Sequence, residues 1–480
     1  MPVNPFDNYP MSWKPSREAL EKPYYQCIAK MLEQEILSGI LPPETKLPPQ
    51  RELADFLDVN FTTITRAYKL CEQRGLIYGA IGKGTFVSPQ ATRPIVISTD
   101  KITNELIDLG FVASFEQTND IVRGVAKQTM DKCYISNLFD YSEPTGIPHH
   151  KKAGQCWMNY LGVQTDIEHI AIAAGAQNAL AITLTALFQP GDRIATDVFT
   201  YSNFITLAKM LHIKLVPVKG DHQGMSPDEL DNACRQMDIQ GVFLMPSCSN
   251  PTTIMISDAR KQQLADVIRR RDLILIEDDI HAFLTAGLID DYKQPMFELL
   301  PDHAIYICGT SRSICSGLRV AYLVYGERFA SRISQALFII NVKTSSLDAE
   351  IVSDVLNTGK AVEILSMKKM LAKKANQTYD EYFYARQPYE HPYSFYRWLP
   401  LRHRVSGAAL EEELEQQNIR VYHSSRFLIG QEPTQQYLRI ALATTRNCEE
   451  LRKGLFILKK YLVKHGLDEC KTQTQDAVQA

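Results

Sequence analysis

A chain of 480 residues is too long for one ordinary hydrophobic core, so two or three domains are expected. With 45% hydrophobic and 22% charged residues and a net charge of -3, the composition excludes a disordered or fibrous chain and any general attraction to nucleic acid; DNA contacts must come from a local patch. The ten cysteines form no C-x-x-C pair, and no secretory leader or membrane-length apolar run is legible, so a reduced, cytoplasmic protein is expected.

Between Pro23 and Leu41, the residues Ile28, Met31, Leu32, Ile36 and Leu37 recur at helical spacing; Gly39 and Pro42-Pro43 end the helix. Leu47-Pro48-Pro49-Gln50-Arg51-Glu52-Leu53-Ala54 opens a second helix, with Leu53, Phe56 and Leu57 inward, since proline is tolerated at a helix start. After the turn Asp58-Val59-Asn60, a third helix runs from Phe61 to about Arg74. Ile64, Ala67, Tyr68 and Cys71 face inward, and Thr62, Thr63, Thr65, Arg66 and Lys69 face out. Two short helices joined by such a turn make a helix-turn-helix, whose second helix enters the major groove. Residues 75–78 and 84–87 read as strands of a hairpin turned at Gly82-Lys83-Gly84, a wing that can approach a duplex closely. Residues 1–90 hold ten basic and ten acidic side chains, so the positive charge gathers on the third helix, where Arg66, Lys69 and Arg74 face Glu72 alone. The run LPPQRELADFLDVNFTTITRAYKLCEQRGLIYGAIGKGTFV resembles the GntR-type winged helix along its whole length. The resemblance implies a DNA-binding domain over 20–88, with contacts from Arg51, Thr62, Thr63, Thr65 and Arg66 and from Gly82, Lys83, Gly84 and Thr85 of the wing.

Residues 89–107 are mixed and polar and read as a linker. Beyond them, apolar runs at 170–174, 193–196, 215–218, 241–245, 273–276, 304–307 and 320–324 alternate with helical segments such as 178–187, 202–211 and 258–270. That pattern predicts an α/β domain over 108–465 with a mostly parallel sheet, whose ligands bind beyond the carboxyl ends of the strands. Gly175-Ala176-Gln177, Tyr201, Asn250 and Glu277-Asp278-Asp279 follow or end strands; taken singly, the segments of Gly175 and Asn250 are ordinary turns and a lone tyrosine is more often packing than stacking. His149-His150-Lys151-Lys152 reads as a polar loop rather than a metal site, Lys368-Lys369 with Lys373-Lys374 as a solvated helix face, and 466–480 as a disordered tail.

In order, GAQNAL, PGDRIATDVFTY, PSCSNPT, IEDD, TSRS, GLRVAYL and YLRIAL resemble fold-type I, pyridoxal-phosphate-dependent aminotransferases over about 110–465, with a smaller C-terminal α+β subdomain. The resemblance implies that Gly175, Ala176, Gln177, Ser311 and Arg319 cradle the cofactor phosphate. By the same resemblance Tyr201 stacks on the ring, Asn250 bonds its oxygen, Asp278 pairs with its nitrogen and Arg439 clamps an effector carboxylate. A GntR-type winged helix joined to this domain resembles the MocR-type regulators, which implies pyridoxal phosphate or an amine or amino-acid effector, a DNA operator and a domain-swapped homodimer. The chain departs from the pattern at Arg312, where the Schiff-base lysine is expected, and at Ile280, Thr253 and Gly309. A guanidinium cannot replace an amine nucleophile, so an inactive enzyme domain with a decayed or retuned pocket is expected, without a covalent link to the cofactor. The alternative is an active aminotransferase carrying an accessory DNA-binding domain.

Overall fold

Helical periodicity near the start and buried apolar runs further on give two compact units, the larger holding nearly everything beyond residue 98. The computed structural model describes residues 11–80, 82–88, 106–285, 292, 294–384, 386–431 and 433–468. Most of the expected linker and the end of the expected tail lie outside the described residues.

In the N-terminal unit, α1 (Tyr24–Leu37), α2 (Gln50–Leu57) and α3 (Phe61–Gln73) close on a core that includes Ile28, Leu32, Leu53, Leu57, Ile64 and Tyr68. Asp58 ends α2 in the left-handed region at φ 51°. Asn60 caps α3, its side chain accepting from the Thr62 amide at 2.9 Å, which satisfies one of the donors a helix start leaves open. Strands β1 (Ile77–Ala80) and β2 (Gly84–Val87) pair antiparallel. Strand β1 starts later than expected because Gly75, at φ 65°, first turns the chain out of α3.

In the larger unit the strands are β3 (Ile170–Ala173), β4 (Arg193–Asp197), β5 (Lys214–Val218), β6 (Gly241–Leu244), β7 (Ile274–Asp278), β8 (Ala304–Gly309) and β9 (Ala321–Tyr325). They form one sheet in the order β3-β9-β8-β7-β6-β4-β5. Pairing is parallel from β8 through β5, and β9 runs antiparallel to both its neighbours. The strands β3, β6, β8 and β9 are buried along their whole length, as a sheet covered on both faces requires. The helices include α4 (Ala176–Leu187), α5 (Ser202–Met210), α6 (Asp258–Arg271), the single turn α7 (Thr310–Ser313), α8 (Glu327–Asn341) and α9 (Lys360–Asp380). A second, antiparallel sheet sets β10 (Tyr396–Pro400), β11 (Tyr422–His423) and β12 (Tyr437–Ala441) in the order β10-β12-β11, the expected smaller α+β part. The nine described cysteines are free thiols. Among the described residues, no helix is long and apolar enough to cross a membrane.

In the larger unit two expectations fail. His149 and His150 belong to the helix Pro148–Tyr160, not to a loop, and His150 is buried. Both Nε2 atoms lie 2.6 Å from Glu350 Oε2, a three-ligand group of the kind that can hold a metal, while Lys132 Nζ lies 2.6 Å from the other Glu350 oxygen. Lys368 is fully buried, not solvated; only Lys373 and Lys374 of its run are exposed.

Candidate functional site

Because β3, β4, β6, β7 and β8 run in one direction, their carboxyl ends share one edge, and the candidate residues gather there, except Arg439, which lies on β12 of the second sheet. Gly175 caps α4 at φ 88°, a conformation that suits glycine. A Cβ there would lie 2.4 Å from Arg319 Nη2, so the missing side chain is what lets the guanidinium close over the helix start. Arg319 Nη1 donates to Ser311 Oγ at 2.8 Å. Helix N-terminal amides, a guanidinium and a hydroxyl together make an anion cradle. Gln177 stands in the first turn of α4 with its Oε1 buried and unpartnered. Gly309 also has a local reason: a Cβ there would meet Ala176 Cβ at 3.0 Å and Ile280 Cγ2 at 3.5 Å.

Asp278 ends β7 at 1% exposure, and neither carboxylate oxygen has a hydrogen-bond partner. Burial, with the adjacent Asp279 adding repulsion, pushes its carboxyl up to about 7. An orphaned buried carboxylate is costly unless a donor meets it, and a protonated ring nitrogen is such a donor. The residues present therefore fit the pyridine nitrogen and phosphate of pyridoxal phosphate.

Tyr201 stands just before α5, half-buried, with burial raising its pKa and the Asp278 charge raising it further. Asn250 precedes a cis proline, and its Oδ1 accepts from Arg439 Nη1 at 2.9 Å. Arg439 Nη2 donates to the Gly110 carbonyl at 2.6 Å, and its guanidinium lies 4.6 Å from the Phe427 ring centre. Burial lowers the Arg439 pKa to about 10, and its Nε is left without a partner. Arg439 is thus fixed by the protein before any ligand arrives. Arg312 follows β8 on α7; its guanidinium lies 5.9 Å from the Phe111 ring centre, and burial lowers its pKa.

Sequence reasoning missed Lys368. Its Nζ donates to the carbonyls of Arg312 at 2.8 Å and Ile314 at 3.1 Å, beneath the turn that carries Arg312. The signal was present: Ala361, Ile364, Leu365, Ala372 and Ala375 form the buried stripe of α9, and position 368 falls on it. Gly110 and Phe111 had no legible signal, because the segment reaches the pocket only through the tertiary fold.

In the N-terminal unit the α3 face presents Thr62, Arg66 and Lys69 to solvent, with Thr63 half-buried and Arg51 exposed on α2. Thr65 is committed within the fold, its hydroxyl donating to Gln50 Oε1 at 2.9 Å. Arg74 follows α3 and ion-pairs with Glu33, so it does not add to the charge of the exposed face as expected. Gly82 and Gly84 hold φ 72° and 116° at the hairpin tip, with Lys83 exposed between them and Thr85 on β2 half-buried.

Residues 109–455 match the family of aminotransferases class I and II, and residues 24–87 match the bacterial regulatory proteins of the gntR family. The HTH-type transcriptional regulator YdeF of Bacillus subtilis is 35% identical over 465 residues, covering 96% of this chain and 99% of that protein. PtsJ of Salmonella typhimurium, a vitamin B6 salvage pathway transcriptional repressor, is 26% identical over 304 residues, covering 63% of this chain and 67% of its own. An archaeal alanine:glyoxylate aminotransferase superposes with a TM-score of 0.68 at 19% identity, covering 75% of this chain and 91% of its own. The α-aminoadipate aminotransferase LysN of Thermus thermophilus, solved with N-(5'-phosphopyridoxyl)-L-leucine, gives 0.67 at 18%, covering 76% and 93%. These two likenesses speak for the fold alone. With both modules in one chain, the protein belongs to the aminotransferase class I and II family in its MocR-like form, the HTH-type transcriptional regulators in which a gntR-family winged helix precedes the aminotransferase-like domain.

Proposed function

We propose that this regulator binds a pyridoxal-phosphate species in its aminotransferase-like unit without a bond to the chain, and that an amine or amino acid read there changes its grip on a DNA operator. The observation that carries the reading is the buried, unpartnered carboxylate of Asp278 on the same sheet edge as the Gly175–Arg319 cradle. Gly175, Ala176, Gln177, Ser311 and Arg319 would hold the phosphate, Tyr201 and Asn250 the ring, Asp278 its nitrogen and Arg439 an effector carboxylate. When bound, such a cofactor supplies an electron sink to amine chemistry. Arg312 stands at the position of the family's lysine, and its guanidinium neither condenses with an aldehyde nor serves as a general base near neutral pH, so transaminase turnover is expected to be negligible. The name of PtsJ, a vitamin B6 salvage pathway transcriptional repressor, favours a vitamin B6 compound as ligand.

In this reading 20–88 binds DNA, 89–107 connects, and 108–465 holds the effector and the contacts of a homodimer. Phe139, Tyr141, Phe338 and Ile339 are exposed at 66%, 88%, 56% and 71%, and Lys343 Nζ, bonded to the Asp140 carbonyl at 2.5 Å, draws their two segments together. Such an apolar surface suits a second copy of the chain. Absorption spectra with added pyridoxal phosphate test the core of the proposal. The wild type should perturb the ligand's spectrum yet leave no borohydride-fixed label on a lysine, and Arg312→Lys should gain both a shifted visible band and the label. A label on a wild-type lysine would overturn the non-covalent reading.

A further inference from the structure

Lys368 lies under the turn α7, fully buried, and among the described residues no carboxylate forms an ion pair with it. Its Nζ instead faces the Arg312 carbonyl at 2.8 Å, the Ile314 carbonyl at 3.1 Å and Ser114 Oγ at 3.4 Å. Three acceptors match the three N–H donors of an ammonium group. Two of them belong to the peptide that carries Arg312 into the pocket, so the amine fixes where that peptide sits.

The same arrangement leaves a buried charge without a counter-ion, which is costly. Burial brings the Lys368 pKa down to about 7; the Cys315 thiol and Glu116 oppose this, and the Arg312 guanidinium adds to it. Ser114, Cys315, Arg312 and Glu116 are the polar and charged groups facing it from the segments packed on α9. The Arg312 guanidinium is also cationic, and Glu116, the carboxylate that acts on Lys368, does so without forming an ion pair with it.

We propose that Lys368 is a positioning residue for the Arg312 turn, and that an anionic ligand in the pocket supplies its missing counter-charge, so that ligand binding and protonation of Lys368 are linked. The inference rests on the proposed binding of pyridoxal-phosphate species to this site. Linkage fixes the sign: a ligand that stabilises the ammonium form draws in protons as it binds, and its affinity falls as pH rises above the ligand-free pKa.

Calorimetric titration of the full chain with pyridoxamine phosphate, in buffers of different ionisation enthalpy just above neutral pH, reads the linkage directly. The wild type should take up more protons per ligand than K368M, and K368M should bind about tenfold more weakly, the worth of one charge-assisted hydrogen bond. K368R, whose charge is permanent, should show a flatter pH dependence than the wild type. K368M with wild-type affinity and proton uptake overturns the inference; if K368M does not fold, K368R with the wild-type pH dependence overturns it. Binding by the wild type with unaltered variants removes only the role of Lys368, whereas no binding by the wild type removes the proposed function and this inference with it. A borohydride-fixed pyridoxal-phosphate label on Lys368 would make it a nucleophile and also refute the positioning role.

Discussion

At the residue scale, the candidate site holds a buried charge that the protein itself does not compensate. Asp278 has two orphaned oxygens and a carboxyl held up near 7, against an ordinary aspartate value of 3.8. The sign follows from linkage. The folded chain resists the charge that the unfolded chain carries freely, so the penalty is absent below the unfolded pKa, grows between about 4 and 7, and is full above 7. Asp278→Asn should therefore raise the stability of the ligand-free protein by roughly 2 kcal/mol at neutral pH, with the gain fading toward pH 4. The same variant should weaken binding of pyridoxal phosphate by an order of magnitude or more, since an amide bonds a pyridinium less strongly than a carboxylate does. Thermal melts at several pH values and one titration check both halves; a destabilised ligand-free Asp278→Asn protein would contradict the orphaned-carboxylate argument. Asp278 could be singled out from sequence because acidic residues at a buried strand end are rare. The Asn250–Arg439 bond could not, because 189 residues separate the partners and only the fold brings them together.

Elements were legible where periodicity and caps agree. The turn Asp58-Val59-Asn60 before an amphipathic run announced α3, and the observed helix begins at Phe61 as expected. Lys368 was misread because four lysines in one stretch look like a solvated face, although the apolar stripe passes through 368. The start of α4 yields a further prediction. Gly175→Ala must strain a φ of 88° and push Arg319 away from a Cβ that would sit 2.4 Å from its Nη2. It should weaken phosphate-bearing ligands about tenfold or more and cost roughly 1–3 kcal/mol of stability, read by calorimetry and denaturant unfolding. A variant that binds like the wild type would show that the cradle is not the phosphate site. In the winged helix, Arg66 on α3 and Lys83 at the hairpin tip are both exposed but belong to different elements. Arg66→Ala should cost about 1–3 kcal/mol on the operator and little on unrelated DNA, whereas Lys83→Ala should weaken both alike and lower the salt dependence. Gel shifts at two salt concentrations separate the two patterns.

At the scale of the whole molecule, a sensor differs from a mere scaffold by a coupling free energy between its two units. A pocket that only preserves the fold can bind vitamin B6 phosphates and leave DNA affinity unchanged. A pocket that regulates must bind them differently when DNA is bound, and thermodynamics makes the two effects equal: if the ligand changes operator affinity by some factor, the operator changes ligand affinity by the same factor. We expect that factor to be about 5–150, the usual range for allosteric coupling. It should be measurable as the shift in pyridoxamine phosphate affinity on adding saturating operator, and as the shift in operator affinity on adding saturating ligand. Arg66→Ala should leave ligand affinity without DNA unchanged, and Asp278→Asn should leave operator affinity without ligand unchanged, because each residue lies in a different compact unit. Equal, non-unit factors from the two titrations would establish sensing without any turnover. A factor of one in both, with ligand and operator each binding, would leave the aminotransferase-like unit as a ligand-holding scaffold with no voice in transcription.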